Sequence, residues 1–439
     1  MIQPRLDWYP QQDEDATWLS QQGPAFLLLD PRVGKTPVSL VAAKRRGVRR
    51  VVVLTKAVVR EQFRREAAKW APELDIRVES YDRISRNPAV FQALRAFQPE
   101  VLILDEGQRC KSTTARRTRL VYGSRFDTKG GLAEGVEALW VLSGTLTPNH
   151  LGETWTHLHA MGRTTLRERP FWDRYLRVWD SQWGPVVKGI REEHLEEFLS
   201  LIRPIARRRR FWEVFPRHQR PRWTVLPLAL GNREQAALRV MEQALAARAV
   251  RRDLQRAKTL EERERILALA QPHTSSLRER LSEVKAPLVA EQAIDLLEGG
   301  VPKLVIFAVH TAMIDGIARH LGAFKPLILD GRTPAKVKMQ RVDRFQIDPT
   351  ARVFICQTET AAEGIPLHAA RVMLLAELPW SLGSVIQVVN RLVSAERRDA
   401  PEILVCSLAN TIDEDVARVV REKAEHVHTL NSLTERPPS

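Results

Sequence analysis

Apolar runs of four or five residues, each bordered by charged or turn-forming residues, recur along the chain and alternate with stretches of helical periodicity. In the first half the runs are Ala25–Leu29, Val51–Leu54, Val101–Leu104 and Ala138–Leu142. In the second half they are Leu304–Ala308, Pro326–Leu329, Val353–Cys356, Val372–Leu375 and Ile403–Ser407. Runs this short and this uniformly apolar read as strands buried on both faces, and the intervening helical pattern reads as crossover connections. The pattern therefore predicts an α/β protein with mainly parallel sheets, built twice over.

Between the halves, residues 204–283 are basic and rich in helix formers, as in Gln235–Leu245 and Leu260–Leu269, and predict a helical spacer. This sets expected boundaries at 1–203, 204–283 and 284–425, with 426–439 as a frayed tail. A formal charge of +15 makes a polyanion the natural partner, because each Lys or Arg that neutralises a phosphate releases a counterion. The three cysteines, Cys110, Cys356 and Cys406, are far apart and lack CxxC spacing, which argues against structural zinc and fits a reducing cytosol. No apolar run reaches the roughly 20 residues of a membrane span, and the first residues carry neither a basic nor an apolar leader region, so a cytoplasmic location is expected.

After the first strand comes Asp30-Pro-Arg-Val-Gly-Lys-Thr36, then a helical stretch. Gly-Lys-Thr between strand and helix lets backbone N–H groups cradle phosphates, places the Lys35 ammonium on the terminal phosphates and offers the Thr36 hydroxyl to Mg²⁺. Leu29 stands where the leading glycine of the full motif belongs. A second motif, Val101-Leu-Ile-Leu-Asp-Glu106, ends a strand in two carboxylates. Asp105 is assigned to the metal and Glu106 to the attacking water, the division of labour that nucleotide hydrolysis needs.

With these residues the chain resembles superfamily-two helicases, most closely the Swi/Snf-type ATPases and their annealing-helicase branch. The likeness runs from Trp8 to about Lys423. Tyr9-Pro-Gln-Gln12 is similar to the family's adenine-reading glutamine motif. Asp105-Glu-Gly-Gln-Arg-Cys-Lys111 resembles Asp-Glu-Ala-His-x-x-Lys, with Gly107 and Gln108 replacing Ala and His. Leu142-Ser-Gly-Thr-Leu-Thr-Pro-Asn149 resembles the Ser-Gly-Thr motif that couples hydrolysis to lobe movement, and Arg207–Arg210 the segment closing the first lobe. Asp330-Gly-Arg-Thr333, Thr358–Leu367, Glu377-Leu-Pro-Trp380, Gln387-Val-Val-Asn-Arg391 and Thr411-Ile-Asp-Glu414 resemble successive motifs of the second lobe.

The resemblance implies two tandem RecA-like lobes joined by the spacer, with ATP and Mg²⁺ as cofactors and hydrolysis at the cleft between the lobes. It implies nucleotide contacts from Gln12, Arg32, Gly34, Lys35, Thr36, Gly364, Gln387 and Arg391, and metal ligation by Thr36 and Asp105. The catalytic set is then Lys35, Asp105, Glu106 and Arg391, the last as an arginine finger, a device worth about 10³–10⁵ in rate. The family's second arginine is replaced by Ser394, with Arg397 and Arg398 one turn further on as substitutes, and its paired glycines by Ala361 and Ala362.

The implied partner is double-stranded DNA, held through its backbone without sequence preference by Lys56, Lys111, Arg207, Arg208 and Thr358 among others. Forked or single-stranded DNA stays open as a preferred form. The expected activity is that of a monomeric DNA-dependent ATPase, a duplex translocase or remodeller in replication, repair or recombination, of a compact bacterial or phage kind. No wedge hairpin or accessory domain stands out, which disfavours a strand-separating helicase. A non-hydrolysing DNA-binding scaffold is the other alternative, given Leu29, Ser394 and the paired alanines.

Overall fold

A computed structural model describes residues 8–418 except 58, 145–149, 182–183, 232–246, 258–259, 362–364, 380–381, 395–398, 409–410, 412 and 415–416. The chain divides into two compact units that meet in sequence at Pro216 and Arg217.

The first unit is built on a six-stranded sheet. Its strands are β1 (Pro24–Leu29), β2 (Arg50–Thr55), β3 (Asp75–Ser80), β4 (Val101–Asp105), β5 (Ala138–Leu142) and β8 (Ala206–Arg209), in the order β3-β2-β4-β5-β1-β8. Every pair is parallel. The interior strands β4 and β5 are buried along their whole length, which is why they carry Val, Leu, Ile and Trp with no alternation. Helices such as Lys35–Arg46 and Arg60–Trp70 make the crossovers.

The second unit repeats the plan. β9 (Arg222–Leu228), β10 (Leu304–Ala308), β11 (Leu327–Leu329), β12 (Val353–Gln357), β13 (Val372–Leu375) and β14 (Glu402–Leu408) form a sheet ordered β11-β12-β10-β13-β14-β9, again parallel throughout. Its core is joined by a long helix, Leu260–Glu298, that buries Ala286, Val289, Ala290, Ala293 and Leu297.

The expectation of two α/β units with parallel sheets is met. Residues 204–283, read as a helical spacer, contain the helices Phe211–Val214 and Ala247–Arg256 and also the strands β8 and β9, each completing a sheet edge, and residue 284 lies inside the helix Leu260–Glu298. A run such as Ala206-Arg-Arg-Arg209 has no apolar face to mark it as a strand, because an edge strand needs less two-sided burial. β3 was missed for the same reason, its burial alternating with charged Asp75, Arg77 and Glu79. β6 (Leu176–Ser181) pairs antiparallel with β7 (Gly184–Ile190) as a separate two-stranded sheet. The helix expected at Gln235–Leu245 and the tail 426–439 lie outside the described residues. No helix among the described residues is long and apolar enough to cross a membrane.

Candidate nucleotide-binding site

The loop after β1 turns through two left-handed residues, Arg32 (φ 70°) and Gly34 (φ 101°), before the helix Lys35–Arg46 begins. At Gly34 a side chain is excluded twice over. Its backbone is one that L-residues avoid, and a Cβ would lie 2.1 Å from Nε2 of Gln12. Gln12 itself is buried; Nε2 donates to the Val33 carbonyl (3.2 Å) and Oε1 accepts from the Tyr9 N–H (2.9 Å). The glutamine thus clasps the phosphate-type loop from the helix Pro10–Ser20. Lys35 Nζ donates to the Leu29 carbonyl (2.7 Å), and Thr36 follows in the first helical turn.

β4 lies two strands away in the same sheet and delivers Asp105 and Glu106 at its carboxyl end. Asp105 is 7% exposed, accepts the Thr55 hydroxyl at 2.6 Å, and has its carbonyl held by the Tyr81 hydroxyl at 2.9 Å. Burial, and after it the Glu106 charge, push the Asp105 carboxyl up to about 6. The Thr55 hydroxyl and the Lys35 and Lys56 ammonium groups pull the other way, so both lysines act electrostatically on this acid. Glu106 occupies a left-handed conformation (φ 51°), which costs a non-glycine residue about 1–2 kcal/mol. Its carboxylate accepts from Nε2 of Gln108 (2.5 Å), whose Oε1 accepts the Ser143 hydroxyl (2.9 Å). The amide therefore bridges the expected water-activating acid to the Ser-Gly-Thr segment. Gly107 is dictated by packing, since a Cβ there would lie 2.4 Å from Val141 Cγ1.

Several residues expected to contact DNA have partners within the fold. Arg207 Nε donates to the fully buried Asp15 (2.7 Å), and Arg208 reaches Asp30 and the Gly144 carbonyl, both at 3.5 Å. Arg209 joins Glu14 (2.6 Å) and Asp15. Each of these guanidinium groups thus faces a carboxylate of its own fold. Lys111 pairs with the buried Glu153.

In the second unit Thr358 is 1% exposed and its hydroxyl donates to the Ala308 carbonyl (3.0 Å), so the side chain faces the core. Gln387 stands on the helix Leu382–Val389. Arg391 follows with 8% exposure, its carbonyl accepting from the Leu367 N–H (3.1 Å), and Ser394 is equally buried. Glu377 gathers the Val309 and His310 N–H groups (2.8 Å each) and the Ser282 hydroxyl (3.1 Å). Asp413, of the closing Thr-Ile-Asp-Glu, pairs with the buried Lys285. Gly364, Ala362, Arg397, Arg398 and Thr145–Asn149 lie outside the described residues.

A model of the SNF2-related domain matches residues 37–270, more than half of the chain. The chain belongs to the SNF2-related family. A model of the helicase conserved C-terminal domain matches residues 289–396. The class this defines is that of helicase-like, DNA-dependent ATP hydrolases. The SWI/SNF-related matrix-associated actin-dependent regulator of chromatin subfamily A-like protein 1 of Xenopus laevis is 25% identical over 431 residues, covering 92% of this chain and 42% of that protein. The DNA annealing helicase and endonuclease ZRANB3 of Bos taurus is 24% identical over 421 residues, covering 88% and 37%. This SNF2-related chain thus spans less than half the length of these relatives. The solved Sulfolobus solfataricus SWI2/SNF2 ATPase core in complex with dsDNA aligns with a TM-score of 0.40 and 15% identity over 95% of this chain and 92% of that one.

Sequence reasoning overlooked Thr55, Tyr81 and Asp30, all of which hold parts of this SNF2-related site. Thr55 carried a usable signal, a hydroxyl at the carboxyl end of a buried parallel strand, where α/β folds collect their chemistry. Tyr81 and Asp30 act through long-range backbone contacts that no local pattern marks.

Proposed function

We propose that the chain is an ATP-driven duplex-DNA translocase or remodeller acting in replication, repair or recombination. The observation that carries the reading is the convergence, on one sheet, of a left-handed glycine loop bearing Lys35 and Thr36 with a buried Asp105 on which the Lys35 charge acts. Gly34 leaves a cradle that a Cβ would fill. The Thr36 hydroxyl and the Asp105 carboxylate are hard oxygen donors of the kind Mg²⁺ selects. When bound, the metal would neutralise charge on the nucleotide phosphates. Lys35 is assigned to the terminal phosphates and Gln12 to setting the loop. Glu106, held by Gln108, is assigned to orienting and deprotonating the attacking water, and Arg391 to stabilising the charge that develops on the transferred phosphoryl group. Arg32 and Gln387 complete the proposed nucleotide contacts, and Lys56 and Lys111 are among the proposed backbone contacts to DNA. A relative named as a DNA annealing helicase makes DNA the polymer in this reading.

The test is ATP hydrolysis measured without DNA and with single-stranded, duplex and forked DNA, for wild type and Lys35→Ala. Duplex is expected to stimulate most, and Lys35→Ala to abolish turnover while leaving DNA binding. Turnover indifferent to every DNA, or a Lys35→Ala protein as active as wild type, refutes the reading. Stimulation confined to forks would instead favour strand separation, for which the β6–β7 hairpin is the available feature.

A further inference from the structure

Asp30, the first residue past β1, is held from one side by the strand that leaves the first unit. Its N–H donates to the Arg209 carbonyl (3.0 Å), and its Oδ2 accepts the Phe211 N–H (3.0 Å). Its Oδ1 faces the Arg208 guanidinium at 3.5 Å. The other arm of that guanidinium points at the Gly144 carbonyl, also at 3.5 Å. The Gly144 backbone in turn runs along the phosphate-type loop, since a Cβ there would lie 3.4 Å from Pro31 Cδ and 3.9 Å from Lys35 Nζ. One side chain, 15% exposed, therefore touches two segments expected to change with nucleotide state, and stands three residues before the helix Phe211–Val214, which leads to Pro216 at the end of the first unit.

We propose that Arg208 is a positioning residue that couples the nucleotide loop and the Ser143-Gly144 segment to the junction between the units, so that DNA engagement is felt as a faster ATP turnover. Asp30 is its anchor. The inference rests on the DNA-stimulated ATPase reading above. An Arg that links two segments needs two separated donors on one rigid plane; a lysine supplies a single point of charge and serves one partner at a time.

The experiment compares wild type, Arg208→Ala and Arg208→Lys by duplex affinity across salt concentrations and by turnover with and without saturating duplex. For Arg208→Ala, affinity and its salt dependence are expected to match wild type. The ratio of stimulated to unstimulated turnover should fall by roughly 5- to 150-fold, the usual range of coupling between sites, with Arg208→Lys in between. If Arg208→Ala binds duplex more weakly, with a salt slope smaller by about one, and saturating DNA restores full stimulation, the residue is a phosphate contact and the proposal is wrong. An unchanged ratio also overturns it. Should Arg208→Ala fail to fold, Arg208→Lys decides: a folded variant with the wild-type ratio rejects the coupling. A wild type that no DNA stimulates removes the function it rests on, which is a separate result from stimulated wild type with unaltered Arg208 variants.

Discussion

Asp105→Asn is expected to stabilise the metal-free protein while destroying its turnover. The carboxyl is 7% exposed, and burial together with the adjacent Glu106 raises it from 3.8 to about 6. An acid whose pKa is higher in the folded than in the unfolded chain binds its proton more tightly in the fold. Its ionisation therefore opposes folding: no penalty exists below about pH 4, it grows as pH rises through the window from about 4 to about 6, and it is constant above that. A shift of about two units at about 1.4 kcal/mol each amounts to about 3 kcal/mol near neutral pH. Asparagine removes the charge, and its carbonyl oxygen can still accept the Thr55 hydroxyl that now lies at 2.6 Å. For a unit of this size, about 2–4 °C per kcal/mol translates the change into about 6–12 °C in melting temperature. The assay is calorimetric melting of both proteins in chelator from pH 4 to pH 8. The gap should be near zero at pH 4, open between pH 4 and 6, and stay level to pH 8. Millimolar Mg²⁺ with ATP analogue should raise the wild-type transition and leave the variant's in place, since only a native state that binds ligand gains by mass action. A gap that does not vary with pH, or a variant that melts below wild type at pH 8, refutes the reasoning.

Two further perturbations probe packing around the motifs. Gly107→Ala places a Cβ 2.4 Å from Val141 Cγ1 and should cost about 1–3 kcal/mol by overpacking; in a urea-unfolding double-mutant cycle, Val141→Ala should recover most of that loss, and strict additivity of the two changes would contradict the steric account. Lys285→Met leaves the buried Asp413 carboxylate without its cation and should cost about 3–5 kcal/mol, with Asp413→Asn in the same chain restoring most of it; chemical denaturation checks both, and a single variant as stable as wild type would show that the pair contributes nothing.

What was legible in the sequence follows from where the chemistry sits. Lys35, Thr36, Asp105 and Glu106 stand at the carboxyl ends of strands buried on both faces, so an uninterrupted apolar run announces each of them locally. The sheets were legible for the same reason, and the edge strands β3 and β8 were not, because an edge tolerates the charges that hide it. The direction in which a polar side chain faces is a different matter. Arg207 reads as a phosphate-binding cation in the local sequence, and the carboxylate it pairs with, Asp15, lies 192 residues earlier in the chain. Thr55 and Thr358 make the point most sharply. Each stands at the carboxyl end of a parallel strand, in β2 and directly after β12, and the local sequence treats them alike. Thr55 donates its hydroxyl to the site carboxylate of Asp105, whereas Thr358 donates to the Ala308 carbonyl and is lost to the core. Which of the two serves the site depends on what the neighbouring strand presents: β4 ends in a carboxylate that needs a donor, and β10 ends in an alanine whose only acceptor is its backbone.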